Sequence, residues 1–301
     1  MKVRDYMEKA TNLTELRATC RYYPLDTNEL ANFYVDTFAA RGYDIVQRLK
    51  LNFEFIPNIY QHVLFLGHRG SGKSTLLYQL EQELKSIYKI IRFSVQEEVD
   101  ISRMDIVDLL FMMYERVLNT CSETIKNTTN NEKIFKGILK NWYAVVENTV
   151  GSEYTNEVSL EVEASAGIVT QIINLFTKLH GAFKFGTSER TSIQNIVKNK
   201  INEYIAQLND LVRIASQAEG KPILIMFEDL EKIPQESAFE LFVDQSKFIP
   251  DIKVHMLLTT PIYFKYHNNI TVKYSFCFRT KICSVVLCDI HYVRQSIIET
   301  M

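Results

Sequence analysis

Residues Gly67-His68-Arg69-Gly70-Ser71-Gly72-Lys73-Ser74, followed by Thr75, fit the spacing G-x-x-x-x-G-K-[ST] in full. This pattern has a chemical purpose. Gly67, Gly70 and Gly72 let the backbone turn its N–H groups inward around phosphate oxygens, where side chains would crowd the loop. A helix beginning near Lys73 adds the positive end of its dipole. The Lys73 ammonium reaches β- and γ-phosphates, and the Ser74 hydroxyl is a ligand for Mg²⁺.

Two further stretches carry groups that such a loop needs. Ile223-Leu224-Ile225-Met226-Phe227 is an apolar run that ends in Glu228 and Asp229. In phosphate-binding-loop proteins an acid at the end of a neighbouring strand holds the Mg²⁺ shell, and a second beside it polarises the attacking water. By position Glu228 takes the metal role and Asp229 the base role, although the order Glu-Asp departs from the more usual Asp-Asp or Asp-Glu. Glu231 reads as a solvated charge at a helix start. In Leu257-Leu258-Thr259-Thr260-Pro261 a strand-end hydroxyl is placed to sense the γ-phosphate, and the sequence does not separate Thr259 from Thr260.

The elements that must position these residues follow from periodicity. His62–Leu66 reads as a buried strand, Ser74–Leu84 as a helix, Lys89–Val95 as a strand and Asp105–Leu118 as an apolar helix. That alternation predicts an α/β fold with a mainly parallel sheet sandwiched by helices. Residues 121–220 break it and read as a mostly helical insertion. Within it lie a polar loop at Asn127–Asn131, helices at Glu132–Val146 and Ile168–Leu179, and a strand at Glu157–Glu163. One long helix, Ser188–Ala218, follows, with Ser188 as N-cap and Gly220 as C-cap. Alternation resumes with a strand at Ile223–Phe227, a helix at Ser237–Phe248 and a strand at Val254–Leu258. Val272–Phe278 and Ile282–Leu287 read as further strands. Ahead of the core, residues 1–59 form an N-terminal helical approach segment, with a helical pattern from Thr27 and an amphipathic stretch at Tyr43–Phe53. The core itself spans 60–301.

GHRGSGKST, IMFEDLEKI and LLTTPIYF, in this order, resemble the ATPase core of AAA-like and STAND- or KAP-like bacterial P-loop ATPases, over roughly Leu25 to His267. The approach Phe33-Tyr34-Val35-Asp36 to Arg41-Gly42 is similar too. The resemblance implies a P-loop NTPase sheet with an additional strand and order 5-1-4-3-2, with ATP and Mg²⁺ as ligands. It also implies a role as a switch or motor of the kind found in signalling, replication or antiviral defence. A second copy of the chain, or an effector encoded nearby, is the implied partner. Two departures stand out. The stretch after the sensor strand is short for a helical lid with its second sensor arginine. The tail from Tyr274 is rich in Cys and aromatic residues, which suits a final strand pair or a shortened form of a longer effector-bearing protein. Arg279, in that tail, is the candidate arginine finger, and no other arginine stands out in cis.

The remaining signals narrow the class. The nearest approach to a guanine-reading N-K-x-D is Asn199-Lys200-Ile201-Asn202, which lacks the Asp, so ATP is favoured over GTP. With 34 basic and 36 acidic residues the chain lacks the charge footprint of a dedicated nucleic-acid binder. No run of about 18 apolar residues marks a membrane span, and MKVRDYMEKATNLTE lacks a signal-peptide core, which together predict a cytoplasmic protein. Five cysteines, Cys20, Cys121, Cys277, Cys283 and Cys288, are an odd number for a disulfide framework. Those near His291 are poorly spaced for zinc. The leading expectation is thus an ATPase driving a conformational switch. An ATP-gated interaction module with little turnover, and a small-molecule kinase using the insertion as a substrate lid, are the alternatives.

Overall fold

The computed structural model describes residues 44–54, 60–126, 131–150, 167–266 and 282–284. Its centre is a parallel sheet of five strands: β1 (His62–Leu66), β2 (Lys89–Ser94), β3 (Ile223–Glu228), β4 (His255–Thr260) and β5 (Ile282–Ser284). Their order is β2-β3-β4-β1-β5, which from the other edge reads 5-1-4-3-2. Every pairing is parallel. Leu66 stands opposite Thr260, and Ser94 opposite Glu228, so the loop, the acids and the strand-end threonines all emerge at one edge. β1, β3 and β4 are buried along their whole length, as expected of strands covered on both faces.

Side-chain alternation divides the apolar residues into two layers. On one face Val63, Phe65, Leu224, Met226 and Leu257 pack with α1 (Ile45–Glu54) and α2 (Lys73–Leu84). The amphipathic stretch assigned to the approach segment is therefore part of the sheet's own packing. On the other face Leu64, Leu66, Ile225, Phe227, Met256 and Leu258 join a larger core with α4 (Ile106–Lys126). The short α3 (Val95–Glu98) connects β2 towards that helix.

The insertion is helical where it is described. It contains α5 (Glu132–Val150), α6 (Ile168–Phe185), α7 (Ser188–Asn199) and α8 (Ile201–Glu219). Aromatic rings fill its centre: Trp142 lies 4.9 Å from Phe176, and Phe111 stacks on Phe183 at 3.8 Å. The single helix expected over Ser188–Ala218 is two, broken at Lys200, and Thr187 rather than Ser188 holds the N-cap position. Apolar spacing continues through the break because both halves line one core, so the pattern conceals it. α7 is steered by polar contacts to the start of α4. Arg190 Nε and Gln194 Nε2 each donate to the fully buried Asp108 at 2.9 Å, and Lys198 pairs with Asp105 at 2.7 Å. Burial, with the charge of Asp105 beside it, raises the Asp108 pKa. Gly220 ends α8 in the left-handed region, as expected.

The apolar stripe of α7 and α8 is spent inside the chain. Ile193, Val197, Ile205, Leu208 and Val212 are all buried in the larger core. The helix expected over Ser237–Phe248 is also shorter. α9 (Gln235–Phe239) runs into one π turn at Glu240–Asp244 and a 3-10 turn at Ser246–Asp251 that contains Pro250. Other ends move as well: the helix expected over Asp105–Leu118 runs on to Lys126, and that over Ile168–Leu179 to Phe185. The expected strands at Glu157–Glu163 and Val272–Phe278, the helix from Thr27, Arg279, His291 and most of the cysteines lie outside the described residues. Cys121 is a buried free thiol, its pKa pushed up to about 12 by burial. Among the described residues no helix is long and apolar enough to cross a membrane.

Candidate functional site

The loop after β1 is tied down at both ends. Gly67 N–H donates to Thr260 O at 3.4 Å, which fastens the loop to the end of β4, and Ser71 N–H donates to His68 O at 3.2 Å. Gly70 and Gly72 have φ of 78° and 79°, a conformation in which a side chain is strained. Space is tight at Gly67: a Cβ there would stand 3.0 Å from Ser71 Oγ and 3.2 Å from Lys73 Cδ, so those side chains would have to give way. Gly72 caps α2, whose first residue is Lys73, so the amino end of a twelve-residue helix faces the loop. His68, Arg69 and Gly70 are exposed, whereas Lys73 is 3% exposed.

Glu228, the last residue of β3, meets this helix. The Ser74 hydroxyl lies beside its carboxylate and favours the charged form. Arg92 Nη1 donates to Glu228 Oε1 from the neighbouring strand β2, while Arg92 Nε donates to Glu81 Oε2 at 2.7 Å and the guanidinium lies over the Tyr78 ring. Burial pushes the Glu228 pKa up, against the pull of Ser74 and Arg92. Ser74 and Glu228, the two residues assigned to a metal by sequence, are thus brought together. The site also contains a cis arginine that sequence reasoning missed.

Asp229 is the only non-glycine residue with positive φ among the described residues, at 69°. Its carboxylate accepts from Ser94 Oγ at 2.6 Å and pairs with Lys232 Nζ at 2.7 Å. The chain then makes a 3-10 turn, Leu230–Lys232, whose first N–H donates to Thr259 Oγ1 at 3.2 Å. Thr259 and Thr260 are thereby separated. The Thr259 hydroxyl anchors the turn after the acids. The Thr260 hydroxyl, on the opposite face of β4, is buried without a hydrogen-bond partner.

Glu231 is not a solvated charge. Its side chain is 9% exposed, and Oε1 lies 2.8 Å from Lys73 Nζ. The left-handed step at Asp229 and the tight turn after it fold this carboxylate back over the loop, a result that linear spacing does not display. Lys73 Nζ also donates to Gly67 O at 3.1 Å and His68 O at 2.8 Å. The available signals were an arginine inside the apolar strand Lys89-Ile90-Ile91-Arg92-Phe93-Ser94 and a third acid three residues after Glu228. Neither is distinctive without the fold.

No family profile matches the chain, and no curated protein matches it. The geometry of the site therefore carries the functional argument.

Proposed function

We propose that this chain is a P-loop ATPase that binds ATP with Mg²⁺ on Gly67–Ser74 and hydrolyses it to drive a conformational switch. The observation that carries the reading is the convergence of three groups. Lys73 and Ser74 open α2 beside a loop whose Gly70 and Gly72 hold left-handed backbone, and the Glu228 carboxylate lies beside Ser74. The strand order 5-1-4-3-2 supports the same reading through the resemblance to AAA-like and STAND- or KAP-like ATPases.

The donor set suits magnesium. A hydroxyl and a carboxylate are hard oxygen ligands, and Glu228 already receives a cation, Arg92. Ser74 and Glu228 would hold the ion, and when bound it would supply positive charge against the phosphates. Lys73 and the loop N–H groups bind the phosphates, with His68, Arg69, Ser71 and Thr75 in the segment around them. Asp229 orients water. Thr259 holds the acid-bearing turn, and Thr260 offers the free hydroxyl of a phosphate sensor.

A second reading, an ATP-gated module with little turnover, is favoured by Asp229, whose carboxylate is engaged by both Ser94 and Lys232. In either reading the partner class is a second copy of the chain or an effector protein.

Lys73→Ala tests the site itself. Loss of tight Mg·ATP binding, measured by calorimetry on a protein that keeps its circular dichroism spectrum, is the expected result. Equal affinity in variant and parent removes the P-loop assignment. Phosphate release per ATP then separates the two readings.

A further inference from the structure

An ammonium has three N–H donors. Those of Lys73 have three acceptors: Gly67 O, His68 O and Glu231 Oε1. Two belong to the backbone of the loop, so the only mobile acceptor, and the only anionic one, is Glu231. It sits on a turn shaped by the left-handed Asp229 and tied to β4 by one hydrogen bond, Leu230 N–H to Thr259 Oγ1. Glu231 Oε2 is buried without a partner, so Lys73 is the group that neutralises this carboxylate.

We propose that Glu231 is an internal stand-in for phosphate: it holds Lys73 inside the loop, must be displaced before a nucleotide reaches that ammonium, and so sets the affinity and anion selectivity of the site. This rests on the nucleotide reading above. The same anionic contact cannot serve carboxylate and phosphate together. When Lys73 turns to a phosphate, Glu231 becomes an uncompensated buried charge beside further negative charge, which is strongly unfavourable. The carboxylate then has to leave. Its exit moves the turn Leu230–Lys232 and with it the Lys232–Asp229 ion pair. Nucleotide occupancy is thereby coupled to a named, movable element, as a switch requires.

The test uses the full chain with Mg·ATP as the probe and adenosine as the uncharged control. Glu231→Gln keeps the shape and an acceptor for Lys73 but removes the charge. A hydrogen bond to a charged group is worth enough that ATP should bind about tenfold tighter or more, while adenosine binding stays unchanged. Glu231→Asp keeps the charge and shortens its reach, and should fall between parent and Glu231→Gln. Thermal unfolding adds a second reading. Glu231→Gln should melt below the parent without nucleotide, and ATP should raise its Tm by more than it raises the parent's. Unchanged or weaker ATP affinity in a folded Glu231→Gln protein overturns the proposal. So does an equal gain for adenosine. Full ATP affinity in Lys73→Ala instead overturns the nucleotide reading beneath it.

Discussion

The two ends of the same strands solve opposite problems. At their amino ends β1 and β4 carry His62 and His255, both buried, with pKa values pushed down to about 4 by burial. His62 Nε2 donates to the Ile252 and Val254 carbonyls. His255 Nδ1 accepts from Gln61 N–H at 3.2 Å among the rings of Phe53, Tyr60 and Tyr88. Here polarity is tolerated by shedding charge and filling the remaining hydrogen bonds with fixed partners. At the carboxyl edge of the sheet charged side chains are paired with one another. Lys73 faces Glu231, and Glu228 faces Arg92, each pair joined through side chains that can move. Neutral groups with backbone partners make a permanent structure. Charged groups with side-chain partners make a site whose partners a phosphate or a metal ion can replace.

The largest test of this contrast is at the carboxyl edge. Asp229→Asn should keep Mg·ATP binding and lower phosphate release by about 10²-fold or more, the scale of a lost general base. Glu228→Gln should instead weaken the Mg²⁺-dependent part of binding. Should the two phenotypes come out exchanged, the roles of the acids are swapped while the site stands. If neither variant changes binding or turnover, the carboxyl edge is structural, like the amino edge.

Much of this site was legible along the chain, and the reason is local geometry. The Gly67–Ser74 loop is contiguous, so its spacing is its structure. The apolar run Ile223–Phe227 ending in acids marks a strand end directly, and alternation gave the α/β class. What was hidden depends on tertiary placement. Arg92 reaches Glu228 only because β2 pairs with β3 in a register that sets Ser94 opposite Glu228. Glu231 reaches Lys73 only through a left-handed residue at Asp229, which no glycine announced. The break at Lys200 lies inside an uninterrupted apolar pattern and is fixed by Arg190, Gln194 and Lys198 meeting the start of α4.

A middle-sized effect is expected at the amino ends as pH falls. A histidine with a folded pKa below its unfolded value binds more protons when unfolded, so its contribution to stability is lost as pH drops from about 6.5 towards about 4. Between pH 7 and pH 5 this amounts to about 2 kcal/mol per histidine. Asp108, raised to about 7 by burial, also titrates there, so the comparison is made between proteins. Glutamine at 255 keeps an acceptor for Gln61 N–H without the titration. Urea unfolding of parent and His255→Gln at pH 7 and pH 5 should show the parent losing about 2 kcal/mol more. Parallel losses would mean that His255 is charged in the folded protein, and the contrast between the two ends would fail.

The smallest effect belongs to Arg92, and its sign should change with pH. In the proposed site the guanidinium would compete with a metal ion for Glu228, yet it also favours the ionised form of that buried carboxylate. Arg92→Gln removes both influences. At the alkaline end, where Glu228 is ionised in either protein, only the competition is lost. Less Mg²⁺ should then be needed for half-maximal nucleotide binding, by about two- to fivefold, as suits a partly exposed ion pair. As pH is lowered the order should reverse, because without Arg92 the raised Glu228 pKa rises further and the variant's carboxylate is protonated first. Mg²⁺ titrations at alkaline and at lowered pH, with ATP held constant, should therefore give curves that cross. Curves that stay parallel would show that Arg92 only braces Glu81 and Tyr78, and that the cation on Glu228 is as permanent as the hydrogen bonds at the other end of the strands.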